Sequence, residues 1–221
     1  MKTIVIIPAF NESKNLKPLI EEVKRYKYDY LIINDKSTDN TQKLCKEENY
    51  NVLNLPNNLG IAGVTRVGFM YANENNYDCV VCIDGDGQHQ PKYINKMVEE
   101  IKKGNDYVVG SRFLENKKPF TPRMIGSRFF CFLIRLKTGK KVTDPTSGMR
   151  ALGKKIIIEF SKEMNFYAEP DALCHLLSDG YKVKDVQVEM LERQNGSSYF
   201  VNPYKTIKFM VGVSISILFA R

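Results

Sequence analysis

Residues 82–91, CIDGDGQHQP, run from an apolar stretch straight into two aspartates, Asp84 and Asp86, separated by one glycine. Carboxylates that close repel one another unless a cation lies between them or each is taken up by a different piece of backbone. The pair therefore either holds a metal or caps separate parts of a turn. Comparable polar clusters close three other β-rich runs: PAFNE at 8–12, NDKSTD at 34–39 and GSR at 110–112. Taken singly they have plain readings, with Asn11 and Asp35 as turn residues and Asp39 as a helix cap. Taken together they need a common explanation, because ligands of an open parallel sheet bind outside the carboxyl ends of its strands.

The elements that would position these clusters are legible. TIVIIPAF, YLIINDKS, YNVLNLPNN, DCVVCIDGD and DYVVGSRF are short β-rich runs ending in turn residues. Between them, apolar residues at helical spacing predict helices over 13–26, 41–48, 61–73 and 91–103, with Ser13 and Asp39 as N-caps of the first two. Strands alternating with helices of this length predict an α/β domain with a mainly parallel sheet covered on both faces. Beyond residue 112 the pattern changes. An amphipathic helix over RMIGSRFFCFLIRLK is followed by a loop, TGKKVTDPTSG, helices near 153–161 and 169–179, and a strand KVKDVQVEM. The uncharged stretch 209–220 makes a helix only about 18 Å long, against a hydrocarbon core of about 30 Å. It is a core helix or one lying in a membrane interface.

Composition narrows the function classes. The chain has 221 residues, 43% of them hydrophobic and 26% charged, which suits one soluble domain with a small annex. Its five cysteines follow no disulfide spacing and fit a reducing compartment. Cys79 and Cys82 lie three apart on a strand, so they point to opposite faces and read as two structural thiols, not a zinc or redox pair. The net charge of +8 is concentrated: residues 112–155 carry twelve Lys/Arg against Glu115 and Asp144. Such a segment suits an anion, whether a phosphorylated substrate or an anionic lipid surface. Nucleic acid is not expected, since no recognition motif accompanies the arginines.

PAFNE, NDKSTD, NLGIAG, DGDGQH, GSR and DPTSGMRA, in this order, resemble the family 2 glycosyltransferases of the GT-A fold over residues 3 to about 200. The resemblance implies a GT-A domain over 1–200, with a nucleotide-sugar-binding half (1–112), an acceptor half (113–200) and a C-terminal interfacial helix over 201–221. It also implies a nucleotide-sugar donor, Mg²⁺ or Mn²⁺, and inversion at the anomeric carbon. In that pattern Asp86 is the first metal ligand, Gln88 a partner, and Asp84 a ligand or ribose contact. Hard oxygen donors are what such a cation takes. Pro8, Ala9, Glu12 and Asp35, with Gly60 of NLGIAG, would cradle base and ribose, Asp35 accepting from a uracil-like N–H. The usual paired aspartates of the second cluster are here Asn34-Asp35, with Lys36 where glycine is common. A nucleotidyltransferase of similar fold class would need a glycine-rich loop after the first strand, which PAFNESKN lacks.

The acceptor half separates subfamilies. The chain has no tryptophan, so the Q-x-x-R-W signature of processive synthases is absent. DPTSGMRA, YAEPDAL and ERQNGSS resemble the polyprenyl-phosphate sugar synthases of the dolichol-phosphate mannose synthase type, in short bacterial form. That resemblance implies transfer to a lipid monophosphate at the cytoplasmic membrane face; the short apolar tail predicts peripheral attachment through residues 205–221 and a small membrane-protein partner. Arg123, Arg128 and Arg150 are candidates to hold the phosphate, with Arg112 and Arg193 behind them. On a helix, positions 123 and 128 stand about 140° apart. A hydroxyl acceptor would instead require a general base, for which Glu169 and Asp171 are the available carboxylates. The alternatives are a non-processive transferase extending a cell-envelope glycan, and a catalytically silent GT-A scaffold. His89 is expected beside the metal site, and His175 on a helix.

Overall fold

The computed structural model describes residues 1–162, 169–192 and 203–219. Five runs predicted as strands form β1 (Thr3–Ala9), β2 (Asp29–Asn34), β3 (Val52–Asn54), β4 (Cys79–Cys82) and β5 (Tyr107–Ser111). They alternate with α1 (Leu16–Arg25), α2 (Thr41–Glu47), α3 (Gly60–Glu74) and α4 (Ile94–Lys102), the last entered through a 3-10 turn at Pro91–Tyr93. The later chain adds α5 (Pro122–Thr138), β6 (Arg150–Gly153), α6 (Lys154–Lys162), α7 (Glu169–Ser178), β7 (Val183–Gln187) and α8 (Pro203–Phe219).

These strands form one sheet of order β3-β2-β1-β4-β6-β5-β7. Its pairings are parallel except at β6, which runs antiparallel to both neighbours, with Arg150 opposite Cys82 and Val109. β6 corrects the sequence reading, which passed from a loop directly into a helix near 153. Four residues, one of them a buried arginine, give too short a run for periodicity to register. The chain beyond residue 112 thus supplies strands to the middle and the edge of the same sheet.

Side-chain alternation builds a core on each face. Ile4, Ile6, Ile33, Val80 and Leu152 face a layer made by α3, α5, α6, α7 and α8. Val5, Ile7, Ile32, Val81 and Ala151 face α1, α2 and α4. Cys79 falls in the second core and Cys82 in the first, and all five cysteines are free thiols. Burial pushes their thiols up, to about 12 at Cys79 and about 11 at Cys82.

Helix starts differ from the expected caps. Neither Ser13 nor Asp39 occupies an N-cap position; those belong to Asn15 and Asn40, and neither makes a side-chain cap bond. Instead the Glu12 carbonyl accepts from Asn15 N and Leu16 N, at 3.0 and 3.1 Å. Asp39 bridges two loops, accepting from Ser13 N at 3.2 Å and from Thr41 N at 2.9 Å. Burial pushes its carboxyl up, but the bonds from Thr41 and Ser13 outweigh this and hold it below the usual range.

Candidate active site

The ends of β1 and β2 are fastened to each other by their own polar groups. Ala9 O accepts from Asp35 N at 2.9 Å, and the Asn11 side chain accepts from Thr38 N at 2.8 Å while its backbone N donates to Ser37 Oγ at 2.9 Å. Glu12 is buried and accepts from Asn15 Nδ2 at 2.5 Å, and its N donates to Thr41 Oγ1. Pro8 O accepts from Gly85 N at 3.1 Å, which joins this rim to the turn after β4.

Asp35 sits buried at the centre of the rim. Its two oxygens accept from Leu59 N and Gly60 N, at 2.7 and 2.9 Å, so it fixes the start of α3 against the end of β2. The N-terminal turn of a helix leaves backbone N–H groups to be satisfied in this way. Gly60 adopts φ +69°, a conformation glycine reaches without the penalty of a side chain. Lys36 adopts φ +57°, a left-handed conformation that favours glycine. Asn34, in place of an aspartate, donates to Asn54 Oδ1 at 2.7 Å and accepts from Ser37 N at 3.1 Å.

The turn after β4 carries Asp84 and Asp86. Asp84 N donates to Nδ1 of the buried His89 at 2.9 Å, so that nitrogen is the acceptor and the ring closes the turn from beneath. Asp86 is buried and accepts from Gln88 N at 3.0 Å. The Gln88 side chain, expected beside the metal, donates its Nε2 to Leu191 O at 3.1 Å. With Leu191 N bonded to Gln88 O and a bridge between His89 and Met190, it fastens the turn to the chain leaving β7. Gly148 closes over the other side. A Cβ there would stand 2.9 Å from Asp84 Oδ2 and 3.2 Å from Oδ1. The close approach of this backbone leaves the Asp84 carboxylate its place, and two hard oxygen donors set in one turn fit a divalent cation.

Cations complete the wall. Arg112 pairs with Asp144 through Nε at 2.7 Å and a second nitrogen at 2.8 Å, a forked geometry that fixes both groups. Arg123, on the first turn of α5, feels burial and Arg112, which lower its pKa, and Asp144, Asp86 and Asp84, which raise it. Asp144, Asp86 and Asp84 are thus the carboxylates in its electrostatic surroundings.

The other expected phosphate ligands have partners within the protein. Arg128 donates to the carbonyls of Pro119 and Lys118 and stacks over Phe120, bracing the loop before α5. Arg150, 6% exposed, points into the core under β4 and β5 and pairs with Glu169 at 3.3 Å. Burial pushes its pKa down, but Tyr107, Glu169 and Cys82 outweigh this and keep the guanidinium charged. Asp171 is 3% exposed and accepts from Ser216 Oγ of α8 at 2.6 Å. Both candidate bases therefore join packed elements. His175 lies 2.9 Å from Glu159 and 3.6 Å from Asp179, tying α7 to α6. Arg193, Tyr167, Ala168 and residues 193–198 of ERQNGSS fall outside the described residues.

The structure thus sets Asp84, Asp86, Pro8, Ala9, Glu12, Asp35 and Gly60 along the strand ends, with Arg112 and Arg123 in the charged surroundings, while Arg128, Arg150 and Asp171 are engaged by partners within the protein. The sequence reading assigned no role to Asp144 or Gly148, although both lie in the DPTSG segment. Their roles depend on where β6 lies, because β6 brings that segment back over the carboxyl end of β4.

Residues 4–160 match the model of the family described as Glycosyl transferase family 2. A UDP-N-acetylglucosamine–dolichyl-phosphate N-acetylglucosaminyltransferase of Methanococcus voltae is 35% identical over 183 residues, covering 72% of each chain. An undecaprenyl-phosphate mannosyltransferase of Micrococcus luteus is 26% identical over 216 residues, covering 90% of this chain and 87% of its own. Among solved structures, glucosyl-3-phosphoglycerate synthase of Mycobacterium tuberculosis, in complex with Mn²⁺, UDP and phosphoglyceric acid, superposes with a TM-score of 0.76 at 17% identity. The match covers 98% of this chain and 77% of that one, and it shows the shared GT-A fold.

Proposed function

The chain belongs to glycosyl transferase family 2, and from that premise we propose that it moves a sugar from a UDP-linked donor to a polyprenyl phosphate, inverting the anomeric carbon. One observation carries the choice of acceptor: the two carboxylates available as general bases are engaged in holding the fold. Glu169 pairs with the buried Arg150, and Asp171 is itself buried against α8. A sugar hydroxyl would need one of them to take its proton. A phosphate monoester is already anionic near neutral pH and needs positioning by cations. Arg112, forked to Asp144, and Arg123, whose electrostatic surroundings include Asp144, Asp86 and Asp84, would position such an anion. The polyprenyl-phosphate substrates named for the Methanococcus and Micrococcus relatives support the same acceptor.

On the donor side, the rim of Pro8, Ala9, Glu12, Asp35 and Gly60 would take the nucleoside, with Asp35 held rigid by the start of α3. Asp84 and Asp86 would hold Mg²⁺ or Mn²⁺, which supplies Lewis-acid neutralisation of the departing diphosphate. The forked Arg112–Asp144 pair keeps one cation fixed at this wall, and Arg123 orients the attacking phosphate oxygen. A rim held this rigidly lowers the barrier chiefly by orientation and preorganised charge.

Nucleoside-diphosphate release measured across UDP- and GDP-sugars, with Mg²⁺, Mn²⁺ or EDTA and with or without a polyprenyl phosphate, tests the reading. Release from a UDP-sugar that requires both lipid and metal is expected. Release only with a glycan acceptor would overturn the choice of acceptor, and no release with any donor would leave a silent scaffold.

A further inference from the structure

α5 and α8 pack side by side. The Phe130 and Phe209 rings meet edge-on at 6.2 Å, and a Cβ on Gly126 would lie 3.1 Å from Met210 Sδ. Lys137 Nζ donates to Ile217 O at 2.6 Å, and Ser216 donates to Asp171 of α7. The inward face of α8 is anchored by the buried Val213 and Ile217. α8 is therefore held in place by specific contacts, and what it shows on its other side is a built surface.

That other side is apolar on both helices. Ile125, Phe129, Phe132 and Leu136 are exposed on α5 and fall within an arc of about 60° at 100° per residue. Ile207, Val211, Ile215 and Leu218 make a second exposed stripe on α8, with Phe219 at its end. Phe132 is 62% exposed, Ile215 54%, and Phe120 in the loop before α5 is 88% exposed. Exposed apolar surface gathered in this way marks an interaction site.

We propose that this two-helix face docks on an anionic bilayer. Charge selects the bilayer over a second copy of the chain. Residues 116–143 carry eight Lys/Arg and no Asp or Glu, and residues 203–219 carry two lysines and no acid. Two such faces would bring like charges together, whereas lipid headgroups supply the missing anions and acyl chains cover the stripes. No helix among the described residues is long and apolar enough to cross a membrane. α5 also carries Arg123 on its first turn, within electrostatic reach of Asp84 and Asp86, and the exposed stripe starts at Ile125. One helix thus presents a cation for a lipid phosphate and an apolar ridge for its surroundings. The lipid destination agrees with the proposed acceptor, but the docking rests on the face itself.

Vesicle flotation of the full chain with neutral phosphatidylcholine and with phosphatidylcholine containing phosphatidylglycerol tests this. Salt-sensitive binding to the anionic vesicles is expected, weakened at least about tenfold by Phe132→Glu and by Ile215→Glu, both at exposed positions. Circular dichroism and thermal melts confirm that each variant is folded. Transfer to a short, water-soluble prenyl phosphate in the absence of vesicles should persist in both. Binding unchanged in both variants would overturn the proposal. So would a wild-type dimer that binds no vesicles and is dissociated by either substitution. Absent vesicle binding with intact transfer to the soluble acceptor would sink the docking face and leave the function standing. Vesicle binding with no transfer to any prenyl phosphate would do the reverse.

Discussion

The strand-end rim and the α5–α8 face solve opposite problems. At the rim, Asp35, Asn11, Glu12 and Asp39 spend hydrogen-bonding capacity on neighbouring loops, so polar atoms hold polar atoms in place. On the α5–α8 face the specific contacts all point inward, through Phe130, Val213, Ser216 and Ile217, and the outward side is apolar and bordered by cations. A rim of this kind fixes atoms to a fraction of an ångström, which is what bond making requires. A face of this kind fixes location and tolerates variation along its length, because burial of apolar area is not directional. On the proposed reading, orientation of the substrate belongs to the first region and placement of the protein to the second.

The sharpest break between them is at Asp86. Asp86→Asn retains an oxygen to accept from Gln88 N and removes the charge offered to a cation. Transfer should fall at least about a thousandfold, since the loss of Lewis-acid stabilisation is worth several kcal/mol. Vesicle binding and the melting curve should be unchanged. Metal-dependent turnover retained at wild-type rate would remove Asp86 from the site.

Glu169 is the next test, because the two acceptor readings make opposite predictions for it. As the partner of the buried Arg150, its replacement by Gln strands a guanidinium inside the protein, at a cost of about 3 kcal/mol. Urea unfolding would show this as a lower midpoint at constant slope. Adding Arg150→Met should recover part of the loss, since the pair is then removed as a unit. Unchanged stability with transfer abolished would make Glu169 a base, and the hydroxyl acceptor would return.

What was legible in the sequence follows the same division. β1, β2, β4 and β5 are continuous apolar runs closed by turn residues, and the polar ends of such runs must converge in a parallel sheet. The rim was therefore readable from local pattern and known topology. Arg150 was not, because the face its side chain takes depends on β6. In that strand it shares parity with Leu152, which packs in the first core, so recognising the strand would have placed the arginine inside. β6 itself is specified by pairing with β4 and β5, residues more than 35 positions away, and no local window holds that information. Arg123 and Arg128 carried a local clue in their angular separation, and the structure sends them to different partners.

Gly148 sharpens the account of the rim more gently. An alanine there would press a methyl first against the Asp84 carboxylate, a side-chain end that can rotate aside, and then against Cε1 of the buried His89 at 3.2 Å. Gly148→Ala should lower transfer about tenfold through a displaced Asp84 while changing the melting temperature little. A large fall in stability with kcat unchanged would show that the glycine serves the packing of β6 instead.

The smallest effect lies on the seam between the regions. Asp185 of β7 accepts from both the backbone N and the hydroxyl of Thr143, whose hydroxyl also lies 2.6 Å from Ser111 Oγ at the end of β5. Burial raises its carboxyl pKa, the Thr143 bonds oppose the rise, and Asp144 adds to it. The native state then binds this proton more tightly than the unfolded chain. The associated stability is present below the unfolded carboxylate value and declines as pH climbs through the raised native value. At neutral pH the charged form is a cost. Asp185→Asn keeps an oxygen for both Thr143 donors and removes the charge, so it should stabilise the protein by up to about 1 kcal/mol at pH 7. The gain should shrink as the pH falls towards the unfolded carboxylate range, followed by urea midpoints at stepped pH. A gain that stays constant with pH would trace the effect to packing at Thr143. A loss at pH 7 would show that the seam relies on the carboxylate charge, through the donors of Thr143 or the nearby Lys184, more than burial opposes it.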